Sequence, residues 1–244
     1  MRFDILTLFP EMLAGTLGDS IIGRAKNAGI LEINYINIRD FSANKHRKVD
    51  DYPYGGGTGM VMTCQPIFDA YRSVADGLEY KPLTIYLTPQ GKVFRQSVAK
   101  KLTKERHIIL ICGHYEGVDQ RVLDEIVDME LSVGDFVLTG GEIAAMAVVD
   151  AVGRLVDGVL PNEDAHCKES LNGSLLEHPQ YTRPAEWNGK AVPEVLLNGN
   201  HAEIEKWKRE QSIAVTAKKR RSMLRNAKLS EVERRNVDGM KNEK

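Results

Sequence analysis

Short apolar runs recur through the first two thirds of the chain, separated by polar and glycine-bearing turns. Phe3-Asp4-Ile5-Leu6-Thr7-Leu8-Phe9 reads as a strand that Pro10 stops. From Leu31 to Ile38 apolar and polar positions alternate, which predicts a second strand. Leu83-Thr84-Ile85-Tyr86-Leu87, Ile108-Ile109-Leu110-Ile111-Cys112 and Met129-Glu130-Leu131-Ser132-Val133 predict three more. Between them lie helical stripes: Ile67, Tyr71 and Val74; Phe94, Val98 and Leu102; Val118, Val122 and Ile126; and Ile143, Ala147, Ala151 and Leu155. Strands alternating with helices predict a parallel α/β sheet covered by helices. Ligands of such sheets sit beyond the carboxyl ends of the strands.

Three glycine-bearing segments fall at those ends: Leu87-Thr88-Pro89-Gln90-Gly91, Cys112-Gly113-His114-Tyr115-Glu116-Gly117, and Ser132-Val133-Gly134-Asp135-Phe136-Val137-Leu138-Thr139-Gly140-Gly141. Each alone is an ordinary strand-to-helix turn. Together they suit a nucleotide-like molecule held by main chain, because glycine lets a ligand approach the backbone closely. Gly55-Gly56-Gly57-Thr58-Gly59 does not match G-x-G-x-x-G after the first strand, and no Gly-Lys-Ser/Thr follows it. Nicotinamide hydride transfer and phosphate-loop hydrolysis are therefore disfavoured. That segment reads either as a flexible turn or, beside Tyr52, Tyr54 and Lys45-His46-Arg47-Lys48, as a surface for a base and its phosphates.

The pattern changes after Leu155. Pro161 to Ser174 is polar and aperiodic, a linker or mobile loop. From Asn200 a helix is expected, with Asn200 as N-cap, Glu203 three positions on, and Ile204 and Trp207 on one face. The expected division is 1–160, an α/β domain; 161–175, a flexible linker; and 176–244, a small helical domain. Charge follows it: a net −1 conceals −4 over residues 1–160 and +3 over 161–244. Six basic residues and no acid lie between Lys218 and Lys228, which suits a polyanion or a solvated helix face. Cys64, Cys112 and Cys167 form no CxxC pair, so no zinc site or disulfide framework is expected and a cytoplasmic setting fits. The N-terminus enters a strand-like run at once, with no visible signal peptide, and no apolar stretch approaches the ~20 residues of a membrane span.

Among candidate chemical groups, His46 and His114 suit acid–base work by type, but the sequence gives neither a partner. Glu116 and Asp135 could bind a ribose hydroxyl or a cation, or cap helices. Arg154 closes the fourth helical stripe, where a cation favours a helix C-terminus. Glu169 lies in the polar linker, where a carboxylate is usually just solvated.

Several strings occur in order: Tyr54-Gly55-Gly56-Gly57-Thr58-Gly59-Met60, Leu87-Thr88-Pro89-Gln90-Gly91, Cys112 to Arg121, Ser132 to Glu142, Pro179-Gln180-Tyr181-Thr182-Arg183-Pro184, and Leu196-Leu197-Asn198-Gly199-Asn200-His201-Ala202. In these the chain closely resembles the bacterial tRNA (guanine-N1)-methyltransferase family, TrmD, over nearly its whole length. The resemblance implies a SPOUT-type parallel sheet with a deep trefoil knot, plus the helical C-terminal domain. It implies a homodimer with active sites shared between subunits, S-adenosylmethionine as methyl donor, tRNA as partner, and methylation at N1 of the guanine immediately 3′ of the anticodon, position 37.

By motif position, the resemblance places Leu87, Pro89, Gly113, Tyr115, Glu116, Val133, Gly134, Asp135, Phe136, Val137, Leu138, Gly140 and Gly141 around the donor. Arg154 would contact or activate the guanine. The general base falls on Glu169, where the family often has Asp; the following Ser170-Leu171 stands where it has Ser-Phe. A Mg²⁺ requirement has been proposed for this family, and the sequence holds no dedicated metal site. Two alternatives differ in chemistry: a SPOUT enzyme acting on a ribose 2′-hydroxyl, which would share the knot loops but would not be expected to share the Pro-Gln-Tyr-Thr-Arg-Pro string, or a non-catalytic RNA-binding protein that takes no donor.

Overall fold

A computed structural model describes residues 1–161, 169–171 and 174–239. The expected linker at 161–175 therefore falls largely outside the described residues, with Cys167. Two compact units are distinguished, Met1–Asn162 and Glu163–Lys244.

In the first unit five parallel strands form one sheet: β1 (Arg2–Thr7), β2 (Glu32–Asn37), β5 (Leu83–Val93), β6 (His107–Cys112) and β7 (Met129–Ser132), in the spatial order β2-β1-β6-β5-β7. A two-residue antiparallel pair, β3 (Asp50–Asp51) and β4 (Val61–Met62), stands apart from it. The helices are α1 (Pro10–Leu17), α2 (Ser20–Asn27), α3 (Cys64–Ala75), α4 (Gln96–Leu102), α5 (Gln120–Ile126) and α6 (Glu142–Gly153).

The alternation along β6 builds two cores. Ile108, Leu110 and Cys112 pack with Leu13, Ile22, Leu102 and Val148 on one face, and Ile109 and Ile111 with Ile67, Val74, Val122 and Ile126 on the other. Every residue of β6 is buried, as expected for a central strand covered on both sides. Thus α1, α2, α4 and α6 cover one face, and α3 and α5 the other.

Two expectations are corrected, and two helices join the expected set. Residues 10–27, given no helix by their pattern, form α1 and α2; Pro10 starts α1 at its first turn, where its missing N–H costs nothing. Thr88–Gly91 is an excursion inside β5, not a loop after a strand. Leu131 of β7 pairs with both Leu87 and Lys92, and the residues between bulge away. The stripe Ile143, Ala147, Ala151 and Leu155 is not the core face of α6. The buried apolar side chains are Ala144, Ala145, Val148, Val149 and Val152, whereas Ile143 is 48% exposed. This helix is apolar nearly all round, so periodicity alone offered more than one face.

The second unit carries a hairpin, β8 (Glu186–Trp187) and β9 (Lys190–Ala191), and two helices, α7 (His201–Lys219) and α8 (Glu231–Gly239). Asn200 caps α7 as expected, its Oδ1 accepting from the N–H groups of Ala202 and Glu203 at 3.2 and 3.4 Å. Ile213, Ala217, Leu224, Ala227 and Val237 form a small core. Arg209 of α7 donates to Glu233 of α8 at 2.9 Å.

Candidate ligand site at the carboxyl ends of the strands

The bulge inside β5 and the segments that follow β6 and β7 meet in one place. There a cavity of about 390 Å³ opens, within the range of small-molecule sites. Its walls come from Tyr86 to Gln90, Gly113 to Val118, Glu130 to Val133 and Phe136 to Gly141, with Gln120, Leu123 and Ala144 completing it.

The walls are fixed by main chain. Gly141 N–H donates to Gly113 O at 2.9 Å, and His114 bridges Gly140 antiparallel, so the segments after β6 and β7 are tied together. From the other side, Glu116 N–H donates to Met60 O at 3.0 Å, Met62 N–H to Gly117 O at 2.9 Å, and Asp119 N–H to Met62 O at 3.0 Å. The glycine-rich segment before β4 thereby borders the same loop. Tyr115 holds the left-handed conformation (φ 59°), uncommon for a bulky side chain, and its hydroxyl accepts from Arg39 at 3.3 Å. Backbone strain of this kind gathers at ligand sites.

The chemistry of the lining is mixed. Leu87, Val133, Leu138 and Ala144 offer apolar surface suited to the faces of a base. Glu116 and Glu130 offer carboxylates suited to a cationic group. Burial, with the charge of Glu130 beside it, pushes the Tyr86 hydroxyl above its ordinary value and keeps it a donor. Among the described residues no group of three or more His, Cys, Asp or Glu is placed to hold a metal ion.

The cavity gathers eleven of the expected donor-site residues: Leu87, Pro89, Gly113, Tyr115, Glu116, Val133, Phe136, Val137, Leu138, Gly140 and Gly141. Gly134 and Asp135 shape the same loop without lining it; Gly134 N–H donates to Ser132 Oγ at 3.2 Å. Arg154 is not brought to this cavity. It caps the C-terminus of α6, and Glu142 opens that helix, so about 12 residues at ~1.5 Å each separate Arg154 from the cavity end. Glu169 is half-buried in the second unit, where the neighbouring Ser170 Oγ accepts from Glu177 N–H at 2.9 Å. Sequence reasoning missed Tyr86, Glu130 and Gln120 as wall residues. Tyr86 and Glu130 sit inside strands, and only strand register brings them opposite each other.

In the second unit Lys218, Lys219, Arg220, Arg225 and Lys228 are exposed, whereas Arg221 donates to Val237 O at 3.0 Å. Among the described residues no helix is long and apolar enough to cross a membrane.

A parallel α/β unit with a main-chain-walled cavity beside its strand ends defines a class of fold whose sites suit nucleotide-like ligands. Comparison with known proteins gives the family. Residues 1–226 match the model of tRNA (Guanine-1)-methyltransferase TrmD, and the chain belongs to that family. It is 57% identical over 220 residues to the tRNA (guanine-N(1)-)-methyltransferase of Ruminiclostridium cellulolyticum, covering 90% of this chain and 94% of the relative. A protein of the same name from Alkaliphilus oremlandii is 50% identical over 249 residues, covering 100% of both chains. One from Exiguobacterium sp. is 51% identical over 242 residues, covering 99% of this chain and all of the relative.

Proposed function

We propose that this protein transfers a methyl group from S-adenosylmethionine to N1 of the guanine immediately 3′ of the tRNA anticodon, position 37. The observation that carries the reading is the cavity beside the β5 bulge and the ends of β6 and β7, in a chain that matches the family over residues 1–226. Its volume, apolar walls, carboxylates and main-chain polar groups fit an adenosine joined to a cationic amino acid. When bound, that molecule supplies a methyl group already activated on a sulfonium, so the transfer has no chemical need of a metal.

The chain's own residues then have defined tasks. The main chain of Gly113–Gly117 and Gly140–Gly141 orients the donor, which brings the reacting atoms into line. Glu116 and Glu130 attract its cationic end. Neutral guanine carries a proton on N1, and Glu169 takes it as the methyl transfers. Arg154 stabilises negative charge developing on the base. The exposed cations from Lys218 to Lys228 hold the tRNA backbone.

The active unit in this reading is a homodimer, with the segments around the cavity threaded as a deep trefoil knot. Two features support shared sites. Arg154 lies a helix length from the cavity of its own chain, so it serves the cavity of a second copy. The outward sides of α1 and α6, which pack beside each other, and of the loop after β7 expose Met12, Phe136, Val137 and Ile143. Such a group of exposed apolar side chains suits contact with a second copy.

Primer extension tests the reading. A methyl group on N1 blocks base pairing, so reverse transcription of a treated, unmodified tRNA transcript is expected to stop next to position 37. The stop is expected to vanish when the donor is omitted or adenine replaces that guanine. Unobstructed extension of the treated transcript contradicts the proposal.

A further inference from the structure

We propose that Glu142 is a positioning residue for the methyl-donor site, acting with Thr7 and His114 as a buried clamp behind the cavity wall; this rests on reading that cavity as the donor site. Glu142 opens α6, yet its side chain is only 2% exposed. Its Oε1 accepts from Thr7 Oγ1 at 2.8 Å, and Thr7 Oγ1 in turn accepts from Phe9 N–H at 2.9 Å. The Thr7 hydroxyl has one proton, and this arrangement directs it at the carboxylate. The other oxygen, Oε2, lies 3.8 Å from His114 Nε2. The Phe9 ring stands 5.0 Å from the His114 ring, closing the circuit.

The clamp meets the cavity at two residues, His114 and Gly140, both in its wall. They form the antiparallel bridge between the loops after β6 and β7. A β-carbon at Gly140 would stand 2.5 Å from both Glu142 Oε2 and His114 Nε2. The backbone at Gly140 therefore rests directly on these two groups. Neither Thr7 nor Glu142 lines the cavity, so both act through the wall. A buried carboxylate is costly unless it is hydrogen-bonded. An apolar side chain would hold α6 to β1 without that cost. The acid, favoured by the helix N-terminus, does what an apolar group cannot: it fixes the orientation of the Thr7 hydroxyl and sets the position of the His114 ring.

A purely structural acid would change stability and leave the donor affinity of the folded protein alone, so binding is the deciding readout. Thr7→Val keeps the shape but removes the hydroxyl that donates to Glu142 and accepts from Phe9 N–H, Thr7→Ser keeps that hydroxyl, and Glu142→Gln removes the charge. Titration calorimetry with S-adenosylmethionine on the intact protein, with thermal melts and steady-state kinetics alongside, tests the clamp. Thr7→Val and Glu142→Gln are each expected to raise donor Kd and KM about tenfold, the scale of one lost hydrogen bond to a charged group. With saturating donor, kcat is expected to stay within about twofold. The double variant is expected to lose no more than the weaker-binding single variant, because both act through one circuit. Thr7→Ser is expected to restore binding to within about twofold. If Glu142→Gln does not fold, the Thr7→Val and Thr7→Ser pair decides. Parent binding together with an unchanged Kd in folded Thr7→Val overturns the clamp alone. Absence of donor binding by the parent overturns the donor-site reading and the clamp with it.

Discussion

The carboxyl group of Glu116 lies against the bare α-carbon of Gly59: a β-carbon built there would stand 2.5 Å from Glu116 Oε1. Gly59 also has a positive φ of 93°. Gly59→Ala therefore meets two penalties, a strained backbone of roughly 1–2 kcal/mol and a displaced Glu116 in the cavity wall. Gly57→Ala separates them, since Gly57 has φ 124° and open space around it. Thermal melts are expected to show similar destabilisation of both variants. Calorimetry is expected to show donor affinity reduced about tenfold in Gly59→Ala and near the parent value in Gly57→Ala. Equal donor affinity in the two would remove Glu116 from the site.

Asp4 and Glu233 are two carboxylates that contribute to acid stability. Burial raises the Asp4 pKa, but hydrogen bonds from His107 at 2.5 Å, Arg2 at 2.7 Å and Asn34 at 2.9 Å outweigh it and hold the group below its ordinary value. Arg209, with the Ser230 N–H, lowers Glu233 to about 2. Both groups have folded values below their unfolded ones. Their contribution is thus complete above the ordinary carboxylate values near 4 and is lost as pH falls through the folded ones. Urea melts from pH 7 to pH 2 are expected to fall most steeply below about pH 4. Asp4→Asn is expected to be destabilised by about 3–5 kcal/mol at pH 7, as for a broken buried pair, and to show a flatter acid limb. An unchanged limb would show that Asp4 is not responsible.

Arg154 and the cavity lie at opposite ends of α6. If sites are shared between subunits, Arg154→Ala and Glu116→Ala are each expected to be inactive alone. Mixed under subunit exchange, they are expected to recover about a quarter of parental activity, since half the dimers then carry one intact site. No recovery, with exchange demonstrated by mass, would place both residues in the same subunit's site. In sedimentation, Ile143→Asp, which charges the outward side of α6, is expected to shift the protein towards monomer.

Glu169 as general base predicts a defect confined to chemistry. Glu169→Gln is expected to lower the single-turnover methylation rate by about 10²–10⁴-fold while the donor Kd stays within about twofold. A rate equal to the parent's would reassign the base.

The strands were largely legible because a fully covered strand is continuously apolar, as in Ile108-Ile109-Leu110-Ile111-Cys112. The convergence of the segments after β6 and β7 was also legible from glycines at strand ends. α1 was not, because Gly15 and Gly18 interrupt a core face of only Leu13 and Leu17. The α6 face was misread because both sides are apolar. The pairs that organise the interior were beyond pattern reading altogether. Thr7 and Glu142 are 135 residues apart and Asp4 and His107 are 103 apart, and neither pair belongs to a local motif. His114, a histidine without a partner in the sequence, gained Glu142 and Phe9 only through the fold.

The most direct test is mass spectrometry of nucleosides from unmodified tRNA transcript incubated with the protein and isotopically labelled S-adenosylmethionine. The account predicts labelled N1-methylguanosine, mapped by nuclease fragments to position 37 and lost in Glu169→Gln. Label found as 2′-O-methylguanosine, or no label in RNA despite folded protein, would contradict it.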